Sequence, residues 1–67
     1  MKAGKKQYSY SDSQAGTQPI KSEKLSDIIK DIENFGYHGD SQGIVYEDGH
    51  PILMYDSTEA GLSWRPA

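Results

Sequence analysis

The chain contains no cysteine, and no long apolar run occurs in its 67 residues. The absence of thiols excludes both a disulfide framework and a thiolate-bound metal as supports for the fold. No stretch approaches the roughly 18 apolar residues that a membrane-spanning helix needs. The basic start, residues 1–6, is followed by no hydrophobic segment and is not a secretory signal. We therefore expect one small cytoplasmic domain with no membrane association.

Basic residues are in the minority. Seven Lys and Arg stand against ten Asp and Glu, which gives a formal net charge of −3 and a pI of about 5.1. Proteins dedicated to nucleic-acid binding are more often basic, so this balance disfavours a nucleic-acid partner without excluding one. A core of this size leaves only a few kcal/mol of net stability, and small folds often need a partner.

Sequence motifs for catalysis are also missing. The chain has no phosphate-binding glycine loop, no nucleophile elbow and no metalloprotease helix. His38 and His50, the two histidines, lie near acidic residues but without the spacing of metal ligands. A surface position is the more ordinary interpretation of both. We expect no enzymatic activity, no metal and no cofactor.

The strongest structural signal is the segment 44–55, which reads IVYEDGHPILMY. Asp48-Gly49 suits the two left-handed positions of a type I′ turn, and strand-forming residues flank it. A two-residue turn fixes the register of a β-hairpin. The predicted pairs are Glu47 with His50, Tyr46 with Pro51, Val45 with Ile52, and Ile44 with Leu53.

Both faces of this hairpin are apolar, and a single helix can cover only one of them. The other face needs the N-terminal segment, the C-terminal tail, a second copy or a different protein to cover it. The predicted faces are Val45, Ile52 and Met54 on one side, and Ile44, Tyr46, Leu53 and Tyr55 on the other.

An amphipathic helix is predicted from Glu23 to Phe35. Ser22 precedes it as a candidate N-cap, and Gly36 follows it where a left-handed residue usually ends a helix. A helix of this length is not stable alone in water, so its apolar stripe should pack on the hairpin. The alternative is that the stripe docks in a groove of a partner. The stripe comprises Leu25, Ile28, Ile29, Ile32 and Phe35.

The segment Tyr8-Ser9-Tyr10 alternates in polarity and is a candidate third strand. Pro51 lacks an N–H and is tolerated only where its outer side is an edge. A third strand should therefore lie beside Ile44–Glu47 and not beside Pro51–Tyr55. Joined through the helix, it would be parallel to its neighbour. If it does not pair there, the Ile44–Glu47 edge stays open for a homodimer.

The predicted fold class is α+β, with one amphipathic helix on a small antiparallel hairpin sheet. The order is β-α-β-β if the third strand forms. Residues 1–7 should be a flexible basic tail, residues 8–64 a single domain, and residues 65–67 a frayed C-terminus.

The remaining segments are predicted to connect these elements. Ser11–Gln18 and Tyr37–Gln42 are polar and typical of loops. Thr58–Ala60 favours a short helical turn capped by Ser57. Two apolar residues near the end should fold back on the hairpin, namely Leu62 and Trp64.

Tyrosine and tryptophan are numerous for so short a chain. They are enriched at interface hot spots, and they are equally usual at the rim of a small core. The predicted register puts Tyr46 and Tyr55 on one face, so alanine at either should weaken a complex and leave the domain folded. The predicted partner-binding residues are Tyr46, Tyr55, Glu47, Asp48, His50 and Trp64.

The leading hypothesis is a non-enzymatic protein-binding module that acts as an inhibitor or adaptor by covering part of a larger partner. It rests on the two apolar hairpin faces, the tyrosines and the acidic balance. Small acidic inhibitors encoded by phages or mobile elements have this profile. A structural subunit that folds fully only when docked is a further alternative.

Four short motifs occur in order along the chain, namely Leu25-Ser26-Asp27-Ile28-Ile29, Gly49-His50-Pro51, Leu53-Met54 and Ser57-Thr58-Glu59. In these motifs the chain resembles the N-terminal domain of Phd/YefM-type antitoxins. The resemblance implies a dimeric DNA-binding transcriptional regulator with a toxin-binding tail, which is the alternative function.

Overall fold

A computed structural model describes residues 6–14, 16–17, 20–34 and 40–67. The described residues form one helix and one antiparallel sheet, which confirms the α+β class. None of their helices is long and apolar enough to cross a membrane. The elements are β1 (Tyr8–Asp12), β2 (Gly16–Thr17), α1 (Leu25–Asn34), β3 (Ser41–Glu47), β4 (His50–Thr58) and β5 (Gly61–Pro66).

The sheet is larger than predicted. Its order is β2-β1-β3-β4-β5, so four strands of five residues or more are extended at one edge by the two-residue β2. The predicted loops are shorter than expected, because the end of β1 and all of β2 lie within Ser11–Gln18, and β3 already begins at Ser41.

The turn between β3 and β4 has the predicted geometry. Asp48 and Gly49 both have positive φ, 52° and 85°, as a type I′ turn requires. The first two predicted pairs are confirmed, Glu47 with His50 and Tyr46 with Pro51.

A β-bulge then shifts the register by one residue. Val45 pairs with Leu53, and Ile44 with Met54, so Ile52 has no partner across the ladder. The predicted pairs of Val45 with Ile52 and of Ile44 with Leu53 are wrong. Because side chains alternate along a strand, one extra residue reverses every side chain beyond it. Each observed face of the hairpin therefore contains residues from both predicted faces.

Strand β1 lies beside Ile44–Glu47 as predicted, but it is antiparallel to β3. The chain turns at Ser13–Gln14, β2 then pairs antiparallel with the end of β1, and Ser22 bridges Tyr8 at the start of β1. Because of this additional reversal, β3 runs antiparallel to β1 and not parallel to it. Because β1 occupies the Ile44–Glu47 edge, the condition for a homodimer through that edge, an unpaired strand, is not met.

The C-terminal segment also differs from the expectation. Glu59 and Ala60 form a turn, and β5 follows and pairs with β4 from Thr58 to Leu53. The predicted helical turn at 58–60 is therefore wrong, and the chain expected to fray from Arg65 is a strand up to Pro66. The prediction that no strand lies beside Pro51–Tyr55 holds only at Pro51, because β5 pairs with β4 from Leu53 onward. The missing N–H of a proline prevents pairing only at its own position.

The helix is shorter than predicted. Ser22 lies three residues before the first residue of α1, and it accepts a hydrogen bond from the amide of Lys24 at 3.0 Å. Its hydroxyl donates to the carboxylate of Asp27 at 2.6 Å, within the first turn. Ser22 thus organises the start of the helix from outside it. The predicted end at Phe35 and Gly36 lies outside the described residues.

The core lies between α1 and one face of the sheet, which we call the helix face. Five side chains are buried there, and Leu25, Ile20, Ile52, Leu53, Leu62 and Trp64 are among those packed around them. The predicted return of Leu62 and Trp64 onto the hairpin is confirmed, through β5. The buried side chains are Tyr10, Ile28, Ile32, Val45 and Tyr55.

Two tyrosine hydroxyls inside this core are bonded to carboxylates. Tyr55 donates to Oδ2 of the buried Asp12 at 2.5 Å, and Ser41 donates to the same oxygen at 3.2 Å. Tyr10 donates to Asp31 on α1 at 2.7 Å. One bond ties β4 to β1 and the other ties the helix to the sheet. A buried carboxylate needs such partners to offset its lost hydration.

The ring of Tyr55 lies on Gly43, its neighbour on β3. A Cβ at position 43 would come within 2.1 Å of the ring. We expect Gly43→Ala to lower the free energy of unfolding by about 1–3 kcal/mol, because the buried ring has to move. Urea denaturation measures the change. Gln42→Ala, at the exposed neighbouring position, should change it by less than about 0.5 kcal/mol. Equal effects of the two substitutions would contradict the packing argument.

The bond between Tyr55 and Asp12 should make the protein sensitive to alkali. Burial raises the pKa of Tyr55 and of Tyr10, and their bonds to carboxylates raise each pKa further. An unfolded tyrosine loses its proton near pH 10. Above about pH 10 the unfolded state therefore binds fewer protons than the folded state, and the free energy of unfolding falls as the pH rises.

Tyr55→Phe should reduce this alkaline loss and cost about 1–3 kcal/mol at neutral pH, because the carboxylate loses its shorter donor. Urea denaturation between about pH 8 and pH 11 measures both effects. Ser41→Ala removes the other donor without removing a tyrosine, so it should keep the wild-type pH dependence. An identical alkaline slope in Tyr55→Phe and the wild type would contradict the assignment.

Candidate interaction surface

The side of the sheet opposite α1 forms a continuous surface, which we call the open face. Its residues follow from the register: Ser11, Ile44, Met54 and Arg65 lie in one row across β1, β3, β4 and β5. Among the residues that the structure describes, no helix or strand lies over this row. This surface is the uncovered apolar face that the sequence predicted, with different members.

The centre of the open face is apolar. Ile44, Tyr46 and Met54 are each partly exposed and lie on the two middle strands of the sheet. A shallow groove runs past Ile44 and Met54 towards Ser11 and Gln42. The polar backbone of these strands is already used in the sheet, so the face offers side chains and not an unpaired strand.

Small hydroxyls and one ion pair border this centre. Ser9 and Ser11 come from β1, and the hydroxyls of Ser11 and Tyr46 lie 3.4 Å apart. On the other side Arg65 is paired with Asp56 across β4 and β5. An apolar centre inside a polar rim is the usual anatomy of a protein–protein interface.

Carboxylates lie at both ends of the sheet. Asp48 is at the turn between β3 and β4, whereas Asp40 and Glu59 are at the opposite end, and all three residues are exposed. Glu47 at the same turn lies on the helix face, opposite its partner Tyr8. Arg65 is the one Lys or Arg of the segment 40–67, and it is paired with Asp56. Exposed carboxylates therefore flank the apolar centre at both ends.

The carboxylates at the turn are held by the N-terminal segment. The hydroxyl of Tyr8 donates to Glu47 at 3.0 Å, and Lys6 lies 3.4 Å from the same carboxylate. The bond to Glu47 raises the pKa of Tyr8, and desolvation raises it further. The amide of Gln7 donates to Asp48 at 3.0 Å. Lys6 and Gln7 of the predicted tail therefore contact the turn, while residues 1–5 lie outside the described residues.

The predicted partner-binding residues do not form one patch. Tyr46 is on the open face, whereas Tyr55 is 1% exposed in the core. Trp64 is on the helix face, with its ring centroid 5.4 Å from that of Tyr55. The bulge separates these residues, because it reverses the strand between positions 51 and 53. Glu47, Asp48 and His50 lie together at the turn.

The three central residues of the open face were predicted correctly except for one. Ile44 was assigned to the same side as Tyr46, but Met54 was placed on the other side. The bulge has no local sequence signal. The only signal for the position of Met54 is indirect. If Tyr55 is recognised as the partner of Asp12 and points to the core, its neighbour Met54 has to lie on the open face.

The described residues contain no cluster of three His, Cys, Asp or Glu side chains that could hold a metal ion. His50 is exposed at the turn, and His38 lies outside the described residues. The chemistry available on the open face is apolar contact, hydroxyl hydrogen bonds and negative charge. These groups are suited to recognition of a surface.

The two tyrosines should respond differently to truncation. Tyr55→Ala removes a buried ring and leaves Asp12 without its shorter donor, so it should cost at least about 3 kcal/mol and unfold much of the protein. Tyr46→Ala removes a partly exposed ring and should cost about 1 kcal/mol. Thermal and urea denaturation followed by circular dichroism measures both. Similar losses in the two variants would show that Tyr46 is part of the core.

No protein-family model, curated protein or solved structure matches the chain. The likeness to Phd/YefM-type antitoxins therefore rests on the short motifs alone. One of them, Ser57-Thr58-Glu59, forms the end of β4 and the following turn instead of a short helix.

Proposed function

We propose that this protein is a non-enzymatic binding module that attaches to another protein through the open face and acts by occlusion, as an inhibitor or adaptor. The observation that carries the proposal is the partly exposed strip of Ile44, Tyr46 and Met54 on the uncovered side of the sheet. Apolar strips with a polar rim are typical of interaction sites.

The rigidity of the surface supports this function. The strip lies on β3 and β4, and Val45 and Tyr55 on the same strands are buried on the opposite side. The bond from Tyr55 to Asp12 fixes β4 relative to β1, so Ser9 and Ser11 keep their places beside Tyr46. A preorganised surface loses little conformational entropy on binding.

The charge of the surface indicates the kind of partner. The exposed carboxylates at both ends of the sheet favour a partner surface with an apolar centre and basic residues around it. Such complementarity would accelerate association and would weaken as salt is added. A partner of this kind includes proteins that bind nucleic acid, whose basic surface the module would cover.

A photo-crosslinking experiment tests the proposal. The photoreactive amino acid p-benzoylphenylalanine replaces Tyr46 in one variant and Lys30, an exposed residue of α1, in a control. In lysate of the native host, we expect a specific protein adduct from position 46 and none from position 30. Excess unlabelled wild-type protein should prevent the adduct, because it occupies the same partner.

Competition with variants supplies the sharper result. Ile44→Asp places a charge in the strip, whereas Asn34→Asp adds the same charge on the exposed surface of α1. We expect Ile44→Asp to compete at least about tenfold less well than the wild type and Asn34→Asp to compete equally. Dispersed NMR spectra confirm that both are folded.

Two outcomes would overturn the proposal. In the first, Ile44→Asp is folded and competes as well as the wild type. In the second, adducts disappear after nuclease treatment and the purified protein shifts duplex DNA in a salt-dependent manner. The second outcome would favour the antitoxin-like regulator.

A further inference from the structure

Strand β5 is an edge of the sheet. It pairs with β4 on one side, and no described strand pairs with its other side. The other edge is the two-residue β2, which offers much less backbone. An exposed edge presents free N–H and C=O groups in a row, which another strand can join.

The ladder shows which groups of β5 face outward. The amide of Ala67 donates to the carbonyl of Ile52 at 3.3 Å, in line with the register that pairs Leu53 with Pro66. In an antiparallel ladder, hydrogen-bonded pairs alternate with pairs whose groups point outward. The outward residues of β5 are therefore Leu62, Trp64 and Pro66. Pro66 agrees with this assignment, since a proline is tolerated where no ladder bond is needed.

Leu62 and Trp64 thus leave two donors and two acceptors free along the middle of the strand. Natural edges are usually protected by lysine, proline or a bulge. Here Pro66 comes after these two residues, and the charge of Arg65 is paired with Asp56 on the adjacent strand. The section from Gly61 to Trp64 carries no charge and no proline.

We propose that β5 pairs antiparallel with β5 of a second copy, with Leu62 opposite Trp64 of that copy. In this register the N–H and C=O of both residues are all bonded, which gives four backbone hydrogen bonds across the two-fold axis. Opposing Trp64 with itself would place Leu62 of each copy against Pro66 of the other, and the Leu62 carbonyl of each copy would lack a donor. Opposing Leu62 with itself would place Trp64 against Ala60, whose amide is bonded to Thr58.

The side chains are also complementary in this register. Leu62 and Trp64 are both partly exposed on the helix face. Across the two-fold axis, Leu62 of each copy would lie against Trp64 of the other copy. On the open face Ser63 meets Ser63, and Arg65 lies opposite Gly61. No like charges are brought together, so the strand is self-complementary.

The contact is small, and the dimer should be weak. One pair of short strands buries less than the roughly 1,200 Å² of a standard stable interface. We expect a dissociation constant of about 100 µM, where backbone bonds and two Leu–Trp contacts act without a large apolar area. The dimer would place two open faces on one continuous sheet. This inference does not depend on the proposed function.

Sedimentation equilibrium of the full chain, from about 10 µM to about 1 mM, tests the proposal. The wild type should change from monomer to dimer over this range. Leu62→Pro removes the outward N–H of the edge and should raise the dissociation constant at least tenfold. Leu62→Val keeps the N–H and an apolar side chain, and it should remain within about threefold of the wild type.

Amide hydrogen exchange of the wild type gives a second readout that needs no variant. The amides of Leu62 and Trp64 should exchange more slowly at the highest concentration than at the lowest, while the amide of Ser63 faces β4 and should change less. This result supports the proposal even if Leu62→Pro fails to fold.

Three results would overturn it. The first is a wild type that stays monomeric throughout the range. The second is exchange at Leu62 and Trp64 that does not depend on concentration. The third is a dimer that Ile44→Asp abolishes and Leu62→Pro leaves intact, because it would place self-association on the open face. None of them decides whether the open face binds another protein.

Discussion

The hydrogen bond from Tyr55 to Asp12 is the interaction on which the arrangement of the sheet depends. It joins β4 to β1 across the intervening β3, and Gly43 on β3 provides the space for the ring. The bond occurs only if Tyr55 points towards the helix. The bulge at Ile52 produces that orientation, and it also places Ile52 and Leu53 against the core. The energy of burying a large ring and satisfying a buried carboxylate offsets one interrupted pair in the ladder.

Much of the local structure could be predicted, because it is encoded by neighbouring residues. Asp48-Gly49 determined the type I′ turn and its first two pairs, the apolar spacing determined α1, and Tyr8-Ser9-Tyr10 indicated a strand. The bulge could not be predicted, since it results from a contact between residues 12 and 55. The reversal at Ser13–Gln14 was also missed, and with it the antiparallel direction of β1.

The candidate site was predicted as a kind of surface and not as a set of residues. That both faces of the hairpin are apolar, and that one helix covers one of them, followed from composition alone. Assigning residues to faces required the register, and one residue of slip moved Tyr55 inward and Met54 outward. Strand β5 was not predicted for a different reason. Gly61–Pro66 is short and lacks clear alternation of strand formers, so its structure depends on pairing with β4.

The position of β1 has a consequence for how the protein opens. Strands β3, β4 and β5 form a meander whose contacts are local along the chain, and such units form quickly. Strand β1 is separated from the meander along the chain by β2 and α1, so it belongs to a segment that can detach as a unit while the meander persists. The open face includes Ser9 and Ser11 from β1 together with Ile44 and Met54 from the meander. A ligand on that face would therefore bridge the two units and slow the detachment, coupling binding to the lifetime of the closed fold.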